Sequence, residues 1–152
     1  TRQDAGAMWY TKEMKASLFF ARSLTIPDGV CNLPPLIWKA TKETLHIWAM
    51  RSGERPQATT PVFYAPFFNL YPNGSVCMGN VKTSFPKDCS LTLFMELWMK
   101  YFFASNFSHL LTDTTPVKMN IVQLWQSLTG KDLIFPISQL KKTGFKLKDI
   151  TL

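Results

Sequence analysis

Phe67-Phe68-Asn69-Leu70-Tyr71-Pro72-Asn73-Gly74-Ser75-Val76-Cys77-Met78-Gly79-Asn80-Val81 is the stretch on which the reading of this chain turns. It sets Cys77 just beyond a Pro-Asn-Gly turn, with Asn69 eight residues upstream. A thiol at the edge of a turn can act as a nucleophile, and a nearby side-chain amide can donate to the oxyanion that its chemistry creates. Each residue also has a plainer reading. A free cysteine is commonly a small buried hydrophobe, and an asparagine commonly organises a turn through its own backbone. Gly74 suits a turn position with positive φ, and Tyr71 and Asn73 flank it.

Upstream of this stretch the pattern is that of strands. Residues 7–11 and 16–21 are short aromatic or aliphatic runs parted by the polar Lys12-Glu13-Met14-Lys15, a hairpin signal. After Pro27-Asp28-Gly29 come residues 36–40 and 45–50, split by 41–44, which read as a second hairpin. Four antiparallel strands in succession predict a meander sheet. Downstream the pattern is helical. Asp88 or Ser90 can cap an apolar helix reaching about Asn106, with Glu96 and Lys100 spaced as an i, i+4 pair. Thr115-Pro116 reads as a second helix start and Gly130 as its end, with Val117, Ile121, Leu124, Trp125 and Leu128 on one face. A shorter helix is expected over 137–142, ended by Gly144. Strands first and helices after predict an α+β domain spanning 1–152.

Composition narrows the class. Hydrophobic residues make up 46% and charged residues 18% of the 152, which excludes wholesale disorder. The formal charge of +7 is concentrated partly at 131–152, a basic helix or tail with five lysines against Asp132 and Asp149. That balance favours an acidic partner or is simply a solvated surface. No aromatic-basic repeat or DNA-reading module is present, so nucleic acid is not an expected partner, although a basic DNA-touching module is a third reading. Three cysteines, with no CxxC and no secretory leader, argue against a disulfide scaffold and for a reducing cytoplasm. His46 and His109 are too isolated to make a metal site with them, and no cofactor is expected. The most apolar run, 91–107, is broken by Glu96, Lys100 and Asn106, and reads as a buried helix rather than a membrane span.

The cysteine run resembles ubiquitin-conjugating enzymes. These carry a His-Pro-Asn tripeptide whose histidine lies ten residues before the catalytic cysteine, and a tryptophan eight residues after it. Here Gly74-Ser75-Val76-Cys77-Met78 matches the cysteine segment, Phe67-Phe68-Asn69 stands for the tripeptide, and Phe85 stands for the tryptophan. A closer resemblance is to the bacterial branch called PRTRC system protein B. It rests on Ile47-Trp48-Ala49-Met50, Ala65-Pro66-Phe67-Phe68-Asn69, Val76-Cys77-Met78-Gly79 and Phe107-Ser108-His109. The match covers roughly residues 8 to 130.

The resemblance implies a UBC-like fold, a four-stranded meander flanked by helices. It implies a carrier that accepts a bacterial ubiquitin-like modifier as a thioester on Cys77 and passes it to an amine or another nucleophile. Its implied partners are the ubiquitin-like protein, a ThiF-like activating enzyme and a ParB-related protein. Asn69 would then serve the oxyanion, and His109 could compensate as a base for the missing histidine, or be a polar residue near a helix C-terminus. Tyr71, Asn73 and Gly74 would form the loop contacting the modifier's tail. Cys89, near a helix N-terminus, is the rival nucleophile. The alternative to a carrier is a catalytically inactive adaptor of the same fold, which the lost histidine favours. Residues 1 to 7 lead almost directly into a strand, leaving no room for the helix that opens typical ubiquitin-conjugating enzymes; either the branch lacks it or the chain is a fragment.

Overall fold

Cross-strand aromatic pairing, rather than adjacency along the chain, decides how the strands assemble. The computed structural model describes residues 6–111 and 113–150. Strand β1 (Ala7–Thr11) is followed by β2 (Met14–Phe20), yet the two do not pair. Instead β1 pairs antiparallel with β4 (Leu36–Ala40), placing Trp9 opposite Trp38 with their rings stacked 5.9 Å apart. The Trp38 indole N–H donates to Thr11 Oγ1 across the same pair at 3.1 Å. Contacts of this kind across a ladder set the register. Strand β2 turns away and pairs with β3 (Gly29–Leu33), a strand hidden in the sequence behind the Pro-Asp-Gly turn and its own glycine and asparagine.

The expected four-stranded meander is therefore replaced by a five-stranded antiparallel sheet and a three-stranded one. Strand β5 (Leu45–Ala49) forms the expected hairpin with β4 and pairs onward with β6 (Pro61–Tyr64). With β8 (Lys142–Lys146) beyond β6, the larger sheet has the order β1-β4-β5-β6-β8, so only its centre runs in sequence order. The smaller sheet has the order β3-β2-β7, where β7 (Asn106–Phe107) lies parallel to the end of β2.

Helix α1 (Leu91–Ala104) begins where Ser90 accepts the Leu93 N–H at 3.1 Å, as one of the two expected caps allows. It buries Phe94, Trp98 and Phe102, an i, i+4, i+8 row. Helix α2 (Ile121–Leu128) starts later than Thr115-Pro116 suggests. Val117 is bridged to Leu140 and Lys118 N–H donates to Gln139 O, so this backbone is already committed. Asn120 becomes the cap, accepting the Gln123 N–H at 3.0 Å. All five residues of the predicted apolar face are nonetheless buried.

The segment read as a basic helix or tail is instead a 3-10 turn (Ile137–Gln139), strand β8 (Lys142–Lys146) and another 3-10 turn (Leu147–Asp149). The exposed Lys142 and Lys146 lie on this outermost strand, where lysine discourages edge-to-edge association. Leu147 and Ile150 pack on Ile37, Trp48, Met50 and Val62, a small second cluster apart from the main core. Residues 1–5 lie outside the described part, and with them most of the segment on which the reading of a missing opening helix rests. No described helix is long and apolar enough to cross a membrane.

Candidate functional site

The stretch around Cys77 is fastened to the centre of the larger sheet. The first half of β5 pairs with residues 74–76: Ile47 N–H donates to Gly74 O, and Val76 N–H donates to Leu45 O, both at 2.9 Å. Its second half pairs with β6. The segment folds into a narrow hairpin in which Leu70 is bridged to Val76 and Tyr71 N–H donates to Ser75 O at 2.8 Å. Asn73 holds the tip, its Oδ1 accepting the Ser75 N–H at 2.9 Å. Gly74 is buried with φ +86, and a Cβ placed there would stand 2.8 Å from the Trp48 ring. Glycine is required on both counts.

Cys77 follows this hairpin, half-buried, and its N–H donates to Asn69 O at 2.8 Å. Asn69 adopts the left-handed conformation with φ +66, which asparagine tolerates better than most residues. Its side chain is the hub of the site. Oδ1 accepts the backbone N–H groups of Ser108 and His109, each at 3.1 Å, while Nδ2 donates to Asn106 O at 3.0 Å. Its own N–H donates to His109 O at 2.7 Å. The asparagine thus ties the cysteine hairpin to the loop after α1, and one Nδ2 proton remains unassigned by these contacts.

An aromatic stack supports both loops. Phe67 stacks with both Trp125 and Phe107, each centroid 5.9 Å away and the rings within 18° of parallel. The Trp125 indole donates to Pro66 O at 2.8 Å, fixing the stack to the chain just before the site. Phe67 occupies the position that resembles the family histidine, and it is 2% exposed. Phe67→His is therefore expected to cost about 2–4 kcal/mol, from lost packing and an imidazole buried among rings. Denaturant unfolding checks this.

Cys77, Asn69 and His109 line one groove of about 520 Å³, shared with Asn80, Asn106 and Ser108. His109 is exposed, and its Nδ1 lies 2.6 Å from Ser108 Oγ. Sequence reasoning passed over Ser108, although it lies within the Phe-Ser-His segment. Tyr71 and Gly74 face elsewhere, lining a separate cavity of about 60 Å³ with Trp48, Tyr64 and Leu110. Asn73 lines neither cavity. The hairpin therefore presents the predicted tail-contacting loop on a different side from the cysteine groove.

The loop leaving Cys77 is strapped to α1. Phe85 packs on Phe94, Trp98 and Tyr101 with centroids 5.0 to 5.7 Å apart. The Tyr101 hydroxyl donates to Ser84 O at 2.6 Å and lies 3.3 Å from the Ser84 N–H. The other candidates lie away from the cysteine groove. Cys31 is buried, 3.5 Å from Thr129 Oγ1, and burial raises its thiol pKa. Cys89 donates to Ser90 O at 3.4 Å and is not part of the groove. His46 stacks on Trp48, and burial, seconded by Lys39, lowers its pKa.

The sequence model of prokaryotic E2 family D matches residues 2–143. No curated protein and no solved structure matches the chain.

Proposed function

Because the chain belongs to prokaryotic E2 family D, we propose that it carries a ubiquitin-like modifier as a thioester on Cys77. The family supports a ubiquitin-conjugating-like role and, in general, dealings with a ubiquitin-like protein and its activating enzyme. The observation that carries the finer reading is the meeting of Cys77, Asn69 and His109 in one groove. Those are the three functional groups that acyl transfer needs: a nucleophile, an amide donor and a base.

In the first step the Cys77 thiolate attacks the modifier's C-terminal carbonyl, held as a thioester on the activating enzyme. The new carbon–sulfur bond forms as the activating enzyme's thiolate leaves. In the second step an amine attacks that carbonyl, and the tetrahedral oxyanion accepts a hydrogen bond from the free Asn69 Nδ2 proton. The carbon–sulfur bond then breaks, the Cys77 thiolate departs, and His109 takes the proton lost by the amine. The resemblance of the quoted motifs to PRTRC system protein B supports a ThiF-like activating enzyme and a ParB-related protein as neighbours.

The test is a charging reaction with a cognate activating enzyme, its ubiquitin-like protein and ATP, resolved on gels with and without reductant. A reductant-sensitive adduct is expected for the native protein and none for Cys77→Ala. The second reading, an adaptor with an inert cysteine, is favoured by Phe67 at the position that resembles the family histidine. An activating enzyme that charges itself but never passes its cargo to Cys77 would establish that reading instead.

A further inference from the structure

Both faces of the larger sheet are apolar. Side chains alternate along each strand, so Trp38, Ile47 and Phe63 turn to the main core, while Ile37, Trp48 and Val62 join Met50 in a cluster on the opposite face. An antiparallel sheet commonly leaves such a face to water, yet all four residues of this cluster are buried. The buried residues of α1 and α2 all belong to the main core. Among the described residues, the hydrophobic side chains packed on the outer cluster from beyond the sheet strands are Leu147 and Ile150. Their turn hangs from the loop before β6: Leu147 N–H donates to Thr60 O and Lys148 N–H to Ala58 O, both at 2.9 Å.

Trp48 takes part in a second contact as well. A Cβ built on Gly74 would stand 2.8 to 3.0 Å from Cε2, Cζ2 and Nε1 of its indole, so that ring is the wall against which the cysteine hairpin turns. Gly74 O and Val76 N–H hold the hairpin to β5, and Cys77 follows at once. We propose that Leu147 and Ile150 are positioning residues for Cys77: by covering the outer cluster they keep the Trp48 indole seated, and the seated indole keeps the hairpin on β5. A ring in a cluster that loses its cover gains conformational freedom, and the packing it offers to Gly74 loosens with it. The turn lies beyond residues 2–143, the stretch matched by the family model. The use of this coupling rests on the carrier reading, since a placed thiol matters where a thioester must form. The coupling itself does not depend on that reading.

The experiment is amide hydrogen exchange of the whole protein, native and with Leu147→Ala or Ile150→Ala. The Ile47 and Val76 amides, which bond the hairpin to β5, should exchange about tenfold faster in either variant, while the amides joining β2 to β3 keep their native rates. Lys148→Ala, in the same turn but exposed, should change neither set. Ile150→Val, which keeps most of the packing, should stay within about twofold of the native rates. Charging of Cys77 by a cognate activating enzyme should slow severalfold in the alanine variants and keep its native rate in Ile150→Val. Unchanged Ile47 and Val76 amides overturn the inference. So does an equal acceleration in both sheets, which means a loss of global stability alone. A native protein that never charges defeats the carrier reading while leaving the exchange result standing.

Discussion

Asn69→Asp is expected to leave the protein folded within about 1–2 kcal/mol of native stability while slowing, in the proposed carrier, discharge of the Cys77 thioester by about a hundredfold. A carboxylate still accepts the Ser108 and His109 N–H groups that Asn69 Oδ1 now holds at 3.1 Å. Aspartate also tolerates the left-handed backbone at φ +66. It loses the bond to Asn106 O and, with it, any N–H to offer an oxyanion. Asn69→Ala removes the scaffold as well. Two backbone donors lose their acceptor and a Cβ residue is held at positive φ, so about 2–4 kcal/mol should be lost. The pair separates the two duties of one side chain, by urea unfolding for the brace and single-turnover transfer to an amine for the chemistry. An aspartate variant as fast as the native protein would leave Asn69 with the structural duty alone.

Gly74→Ala is expected to cost about 2–5 kcal/mol and to abolish ordered presentation of Cys77. The added Cβ meets three atoms of the Trp48 indole at 2.8 to 3.0 Å, and φ +86 is itself unfavourable for alanine. Trp48 cannot retreat freely. It is 6% exposed, stacked against His46, and clustered with Ile37, Met50 and Val62. Relief must come from the hairpin, whose Gly74 O and Val76 N–H hold it to β5. Denaturant unfolding reads the stability loss. The rate of Cys77 alkylation, faster in the variant than in the native protein, reads the release of the hairpin.

What the chain announces and what it conceals follow different physics. Helix α1 was legible because Ser90 and an apolar run with i, i+4 spacing are local signals, and the face of α2 was legible for the same reason. The pairing of β1 with β4 was not, since Trp9 and Trp38 meet through a contact 29 residues apart in the chain. Strand β3 escaped because its glycine and asparagine look like turn residues until β2 covers them. Strand β8 escaped because lysines and Gly144 mark an edge, where polar residues are tolerated. At the site, the cysteine hairpin was readable from Pro-Asn-Gly, and the structure brings Asn69 and His109 to its groove. The separation of Tyr71 and Gly74 from that groove depends on which side of a hairpin faces α1, and sequence spacing carries no record of that. Ser108 comes to the groove through its backbone N–H bond to an asparagine 39 residues away, beyond any local motif.

The split partnership of β5, half with β6 and half with the cysteine hairpin, bears on motion. A nucleophile on a free loop samples many poses on the nanosecond scale, and only some of them react. Here the residues just before the thiol are stitched into a central strand, so they move as that strand moves, and opening them means breaking part of the sheet. The sulfur accordingly has little search of its own to perform. In the proposed carrier, the time needed to find a reactive arrangement would fall on whatever approaches the thiol, and the pace of transfer would be governed by how quickly the incoming chain ends settle into a groove that is already waiting.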